Sequence, residues 1–155
     1  TPAPLSEPTT PDRVLYDVVR VVDGDTVRIM KDGAEVTLRL IGMNTPETVD
    51  PRTSVECFGS EASNKAEELL TGQQVSLEMD AGQGTFDKYH RTLGYIRRDD
   101  GLFFNEWMIK NGYAYEYTYD GAYKYQSEFK AAERHARENE LGLWSSDTCS
   151  GKLEF

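Results

Sequence analysis

Three short apolar runs joined by Asp-Gly pairs constrain this chain more than any other feature. The runs span 14–22, 26–30 and 34–41, with Asp23-Gly24 after the first and Asp32-Gly33 after the second. β-branched residues dominate the first run, and aspartate followed by glycine is the strongest short-range signal of a tight hairpin. In the third run Val36, Leu38 and Leu40 fall on one side and Glu35, Thr37 and Arg39 on the other, because successive strand residues face opposite ways. Three strands are expected here, with Arg39 on the polar side at the end of the third.

The remaining punctuation completes a domain. Residues 46–57 hold two prolines and read as a loop. Ala62, Ala66, Leu69 and Leu70 form a helical stripe, with Ser60 as its cap and Gly72 as its stop. A fourth strand is expected over 75–79, a loop over 80–88 and a fifth strand over 89–97, closed by Asp99-Asp100-Gly101. A short helix over 104–111 ends at Gly112, and six tyrosines crowd the loop 113–125. Tyr125, Phe129, Ala132 and Ala136 mark a last helix ending at Leu141-Gly142, with Trp144 anchoring the C-terminus to the core. Five strands with one helix after the third and two behind them predict an α+β, mainly β fold: a five-stranded OB-type barrel with three packed helices. The domain is expected over 13–149. Residues 1–12 hold four of the six prolines and read as a disordered leader or linker, and 150–155 as a short tail.

Charge narrows the function classes. Net charge is -10, from 17 Lys and Arg against 27 Asp and Glu. A protein that coats nucleic acid through a broad basic face is excluded, so any polyanion must be held locally, by a few arginines and a bound cation. No run approaches the ~20 apolar residues of a membrane helix, and no apolar signal-peptide core opens the chain. A monomer is the default. The two cysteines, Cys57 and Cys149, form no CxxC and the two histidines no HExxH, so zinc is poorly supported. By themselves the cysteines read equally as a disulfide or as two unrelated thiols.

Five motifs in order then carry a resemblance: Asp-Gly-Asp-Thr-Val at 23–27, Arg-Leu-Ile-Gly-x-x-Thr-Pro-Glu at 39–47, Gly-x-Glu-Ala-Ser at 59–63, Asp-Lys-Tyr-x-Arg at 87–91, and Asn-Glu at 105–106. Each alone is weak; together, from about 14 to 144, the chain resembles the staphylococcal nuclease (thermonuclease) family. The resemblance implies a calcium-dependent endonuclease acting on DNA and RNA with little sequence preference and leaving 3′-phosphate ends.

The residues have a chemistry that suits this. Phosphodiester hydrolysis needs charge offset on the non-bridging oxygens, an activated water and a stabilised leaving oxygen. Ca²⁺ prefers oxygen donors, for which Asp25, Asn44 and the carbonyl of Thr45 are candidates, with Asp23 just outside, polarising a water of that shell. Glu47 is the candidate base. Arg39 and Arg91 are candidate phosphate clamps, because a guanidinium fork matches phosphate oxygens. Asn44 departs from the family pattern, which has aspartate there, and so predicts weaker calcium binding. By the same resemblance, Tyr117 and Tyr119 stack a base and contact phosphate, or else fill a groove between barrel and helix. Lys88 is assigned the substrate's terminal phosphate, and His90, at a position commonly glycine in the family, is expected to be exposed and incidental.

Secreted members of the family carry cysteines near positions 57 and 149, so the resemblance implies a Cys57–Cys149 disulfide and a secreted, periplasmic or cell-surface protein. The rival reading is a non-catalytic OB-type module that grips single strands without cutting them.

Overall fold

A computed structural model describes residues 14–46, 57–119 and 121–149. The expected leader, most of the 46–57 loop with Glu47, and the tail lie outside the described residues. The first three strands are β1 (Tyr16–Asp23), β2 (Thr26–Lys31) and β3 (Ala34–Leu40), paired antiparallel in sequence order. The Asp-Gly pairs turn the chain as expected: Asp32 and Gly33 both have positive φ, 54° and 83°, the geometry that type I′ hairpins require. Then follow β4 (Met43–Asn44), α1 (Gly59–Leu70), β5 (Gln74–Glu78), β6 (Thr92–Arg98), α2 (Phe104–Lys110), β7 (Tyr115–Glu116) and α3 (Gln126–Glu138), with a 3₁₀ turn at Gly142–Trp144. Strands β1-β2-β3-β6-β5 close a five-stranded barrel, in which β3 and β6 run parallel. Among the described residues, three helices pack on a mainly β fold, as the sequence predicts.

The core is where the strand and helix periods place it. Val27, Ile29, Leu38, Leu40 and Ile96 are fully buried inside the barrel, with Ala62, Ala66 and Leu70 of α1 in the same cluster. A second part of the core is aromatic. Tyr95 of β6 meets Tyr125 edge-on at 4.7 Å and Phe129 of α3 at 6.1 Å. Burying a ring of that size contributes roughly 1.5–3 kcal/mol.

Two contacts join this core to the end of β3. Asn105 of α2 is fully buried. Its Oδ1 accepts from the Ile96 N–H at 3.0 Å and its Nδ2 donates to the Ile41 carbonyl at 2.9 Å, so one amide ties helix, β6 and the strand end together. Gly42 turns at φ 82°, and a Cβ there would lie 2.6 Å from both Phe129 and Tyr123. Only glycine fits, on sterics and on dihedral.

The structure corrects several expectations. The fifth strand begins at Thr92, not at 89, because Lys88 and Tyr89 form a tight turn. Helix α1 is capped by Phe58, with no side-chain cap, and Ser60 lies inside it. The Phe58 carbonyl already accepts from the Ala62 N–H, so the ladder starts upstream of the serine. Leu143, rather than the half-buried Trp144, is the fully buried residue of the C-terminal turn. The two-residue pair β4–β7 was not foreseen.

Cys57 and Cys149 are paired, with Cα atoms 6.0 Å apart across 92 positions. The bond ties the last turn to the entry of α1. Closing so long a loop contributes on the order of 4–5 kcal/mol in the chain-entropy view.

Candidate active site

The barrel's pairing assembles the site. Thr26 is in register with Arg39 across β2 and β3, and Arg39 with Leu93 across β3 and β6. The first pairing sets the Asp23–Asp25 turn beside the end of β3. The second sets Arg39 two residues from the level of Arg91. The turn is fixed further by Leu40, whose N–H donates to the Asp25 carbonyl at 3.1 Å.

Around Asp25 the donors are hard oxygens. Asp25 is buried. Its Oδ1 accepts from the Thr26 hydroxyl at 3.0 Å and its Oδ2 from the Thr45 N–H at 3.0 Å. Arg39 reaches across this cluster. Its Nη1 donates to the carbonyls of Leu40 and Met43 at 2.8 and 3.0 Å, while its Nη2 donates to Asn44 Oδ1 at 3.0 Å and lies 3.5 Å from Asp25 Oδ2. A guanidinium only donates, so this contact fixes the orientation of the Asn44 amide. Asn44 Nδ2 then donates to the Tyr115 hydroxyl at 2.8 Å, a contact that the β4–β7 pairing brings about. Asp23 is buried and accepts from the Gly24 N–H at 2.9 Å.

The Thr45 hydroxyl is buried with no hydrogen-bond partner among the described residues. Gly24 backs it so closely that a Cβ would stand 2.9 Å from the oxygen. Thr45 is bound to Asp25 through its N–H, and Arg39 Nη2 links Asp25 to the Asn44 amide oxygen, so the carboxylate, amide and Thr45 oxygens are of the kind that a hard cation such as Ca²⁺ prefers. The set is sparing in charge: among the described residues no three His, Cys, Asp or Glu side chains converge on one point.

The third cluster is a rigid turn. Asp87 accepts from the N–H groups of Tyr89 and Arg91 at 2.9 and 2.8 Å, and its other oxygen accepts from Arg91 Nε at 2.7 Å. Burial pushes the Asp87 carboxyl up, but the hydrogen bonds and charge of Arg91 outweigh it and hold the group below its ordinary value. Arg91 is thus oriented through Nε, and among the described residues its terminal nitrogens have no hydrogen-bond partner. Tyr89 lies under both cations of the turn, 5.3 Å from Lys88 Nζ and from the Arg91 guanidinium carbon.

These groups meet at a cavity of about 320 Å³. Arg39, Lys88, Arg91, Tyr117 and Tyr119 all line it. Tyr117 lies 6.3 Å from Tyr119 in a stacked arrangement and 5.9 Å from the Arg39 guanidinium carbon. Asp25, Asn44 and Thr45 are not on the wall and join the cavity through Arg39. Sequence reasoning missed Tyr89 and Phe86 on the rim and Tyr115 behind Asn44. Tyr89 had a signal, as an aromatic inside the Asp-Lys-Tyr-x-Arg motif. Tyr115 had none beyond its place among six tyrosines.

Comparison with known proteins agrees with this geometry. The family described as staphylococcal nuclease homologue matches residues 37–146. Thermonuclease of Staphylococcus hyicus is 42% identical over 131 residues, covering 84% of this chain and 76% of that protein. Thermonuclease of Staphylococcus intermedius is 43% identical over 129 residues, covering 83% and 75%. Endonuclease YncB of Bacillus subtilis (strain 168) is 35% identical over 127 residues, covering 81% and 59%. With a matching barrel, a family match across most of the chain and relatives aligned over most of both lengths, the chain belongs to the staphylococcal nuclease family.

Proposed function

We propose that the chain is a calcium-dependent endonuclease that hydrolyses phosphodiester bonds in DNA and RNA with little sequence preference, leaving 3′-phosphate ends. Its character as a nuclease and ester hydrolase rests on family membership and on relatives named thermonuclease and endonuclease. The finer reading rests chiefly on one observation: Arg39 and Arg91 share a cavity with stacked tyrosines, and an oxygen-donor cluster lies directly behind Arg39.

The roles follow from the chemistry of each group. Asp25, the Asn44 amide oxygen and Thr45 hold the cation. When bound, calcium offsets charge on the phosphate and eases deprotonation of a water. Arg39 and Arg91 grip the non-bridging oxygens through their forks, and Arg91 also faces the charge that develops on the leaving oxygen. Glu47 takes the proton of the attacking water. Asp23 orients water beside the donor cluster. Tyr117 and Tyr119 stack a base through their π-faces, which accept any base, and Lys88 meets a terminal phosphate. The Cys57–Cys149 bond suits an oxidising compartment, hence secretion, the periplasm or the cell surface.

The non-catalytic alternative predicts strand binding without cutting. Arg39, Asp25, Glu47 and Arg91 are all present, which favours the enzyme. The test is end-group analysis of products from single-stranded DNA blocked at its own 3′ end, by parent and by Arg91→Lys. The expected parent product takes a terminal-transferase label only after phosphatase treatment, and Arg91→Lys lowers kcat by about a hundredfold, the scale of losing one oriented transition-state donor. Products with free 3′-hydroxyls overturn the product assignment, and a mobility shift without cutting supports the binding module.

A further inference from the structure

On the cavity rim stands an aromatic pair that has no role above. Phe86 lines the cavity yet is 50% exposed. The His90 imidazole lies flat on it, with ring centroids 4.4 Å apart and planes 11° apart. One exposed ring is ordinary in itself; what sets Phe86 apart is its place on the cavity wall with a second ring stacked flat against it.

The pair is held on a rigid tip. Leu93 N–H donates to the Thr85 carbonyl, Phe86 bridges Thr92, Asp87 N–H donates to the Arg91 carbonyl, and His90 N–H donates to the Asp87 carbonyl. His90 sits at φ 64°, a region where non-glycine residues are rare but histidine is enriched. The tip thus holds a left-handed backbone position and presents a ring from it. The same tip carries Lys88, Tyr89 and Arg91. A flat apolar surface is therefore fixed beside cations that suit a phosphate.

We propose that Phe86, backed by the His90 imidazole, is a further base-stacking subsite that receives an unpaired nucleobase adjoining the phosphate held by Arg39 and Arg91. It rests on the nuclease reading and deepens it. Tyr117 and Tyr119 come from the 113–125 segment and Phe86 from the 80–91 loop, so the cavity that Arg39, Lys88 and Arg91 also line offers stacking surfaces from two separate segments. A paired base cannot reach either surface. The subsite therefore favours single strands, and substrates with a nucleotide on each side of the scissile bond.

The probe is a short oligothymidylate carrying one 2-aminopurine, whose fluorescence is quenched by stacking. It is mixed rapidly with protein and calcium, so that the fast quench is read before cleavage and KM is read afterwards. The parent is expected to quench the probe. Phe86→Ala is expected to abolish the quench from one probe position and to raise KM about tenfold, within the range for one lost base stack. The dependence of kcat/KM on salt keeps its slope in that variant, because no cation is removed, whereas Lys88→Gln lowers the slope and keeps the quench. Phe86→Leu keeps the apolar bulk and controls for folding; it is expected to behave as Phe86→Ala. If the parent cuts the probe while Phe86→Ala retains both quench and KM, the subsite is overturned and the nuclease reading stands. If the parent neither quenches nor cuts, both fall.

Discussion

Asn44 carries the most direct residue-level test of the proposed cation site. Its amide oxygen faces Arg39 at 3.0 Å and its nitrogen faces Tyr115 at 2.8 Å. An aspartate is nearly isosteric and fits the same two partners, since the Tyr115 hydroxyl can donate to a carboxylate instead of accepting from an amide. The change adds one negative charge beside Asp25. Asn44→Asp is therefore expected to tighten calcium binding about tenfold, read by titration calorimetry and by the calcium that half-saturates cleavage. An unchanged half-saturation in both would show that Asn44 is no part of the cation site.

Between elements, two acidic groups at the end of β5 fasten the loop beyond it to the aromatic segment. Asp80 Oδ2 accepts from the Tyr95 hydroxyl at 2.7 Å and from the Lys124 N–H at 2.9 Å. Glu78 accepts from Lys124, Arg97 and the Tyr125 hydroxyl. Burial raises both carboxyls, but these donors outweigh it and hold both below their ordinary values. Because their folded pKa values lie below the unfolded ones, near 4, the stabilisation they give is complete above about pH 5 and is lost as pH falls through the lower folded values. Asp80→Asn is expected to lower stability at neutral pH by about 1–2 kcal/mol, read as an earlier denaturation midpoint, and to flatten the acid limb of the stability curve. An acid limb as steep as the parent's would place the linkage elsewhere.

The elements also show what could be read from sequence. The barrel strands were legible because each buries one face, so the apolar period of two is written in residues such as Leu38 and Leu40. Helices α1 and α3 were legible from alanine and aromatic stripes for the same reason. The start of β6 was not, because Tyr89 and His90 look strand-like while Asp87 bends them into a turn. Neither was β4–β7, since two-residue strands have no period to detect. At the site, motif and spacing mark Arg39, Arg91, Lys88, Tyr117 and Tyr119, which line one cavity, whereas Tyr115 and Phe86 join the site through contacts that only the folded chain creates.

For the molecule as a whole, charge and fold together set how it meets a polyanion. The chain carries a net charge of -10, yet Arg39, Lys88 and Arg91 face one cavity. On the proposed reading, attraction is local, with few phosphates contacted. The slope of log K against log salt for single-stranded DNA is expected near -2 to -3, at about 0.7 per phosphate. A slope near -6 or steeper would mean a broad electrostatic footprint and contradict a confined pocket.

The central claim is that the oxygen cluster around Asp25 and the two guanidiniums work as one metal-assisted phosphodiesterase site. The rate of single-stranded DNA cleavage as a function of free calcium tests it most directly, with excess chelator as the zero point. The account predicts a rate that rises and saturates with calcium and vanishes with chelator. Cutting that persists in excess chelator, or strand binding without cutting at any calcium concentration, would contradict it.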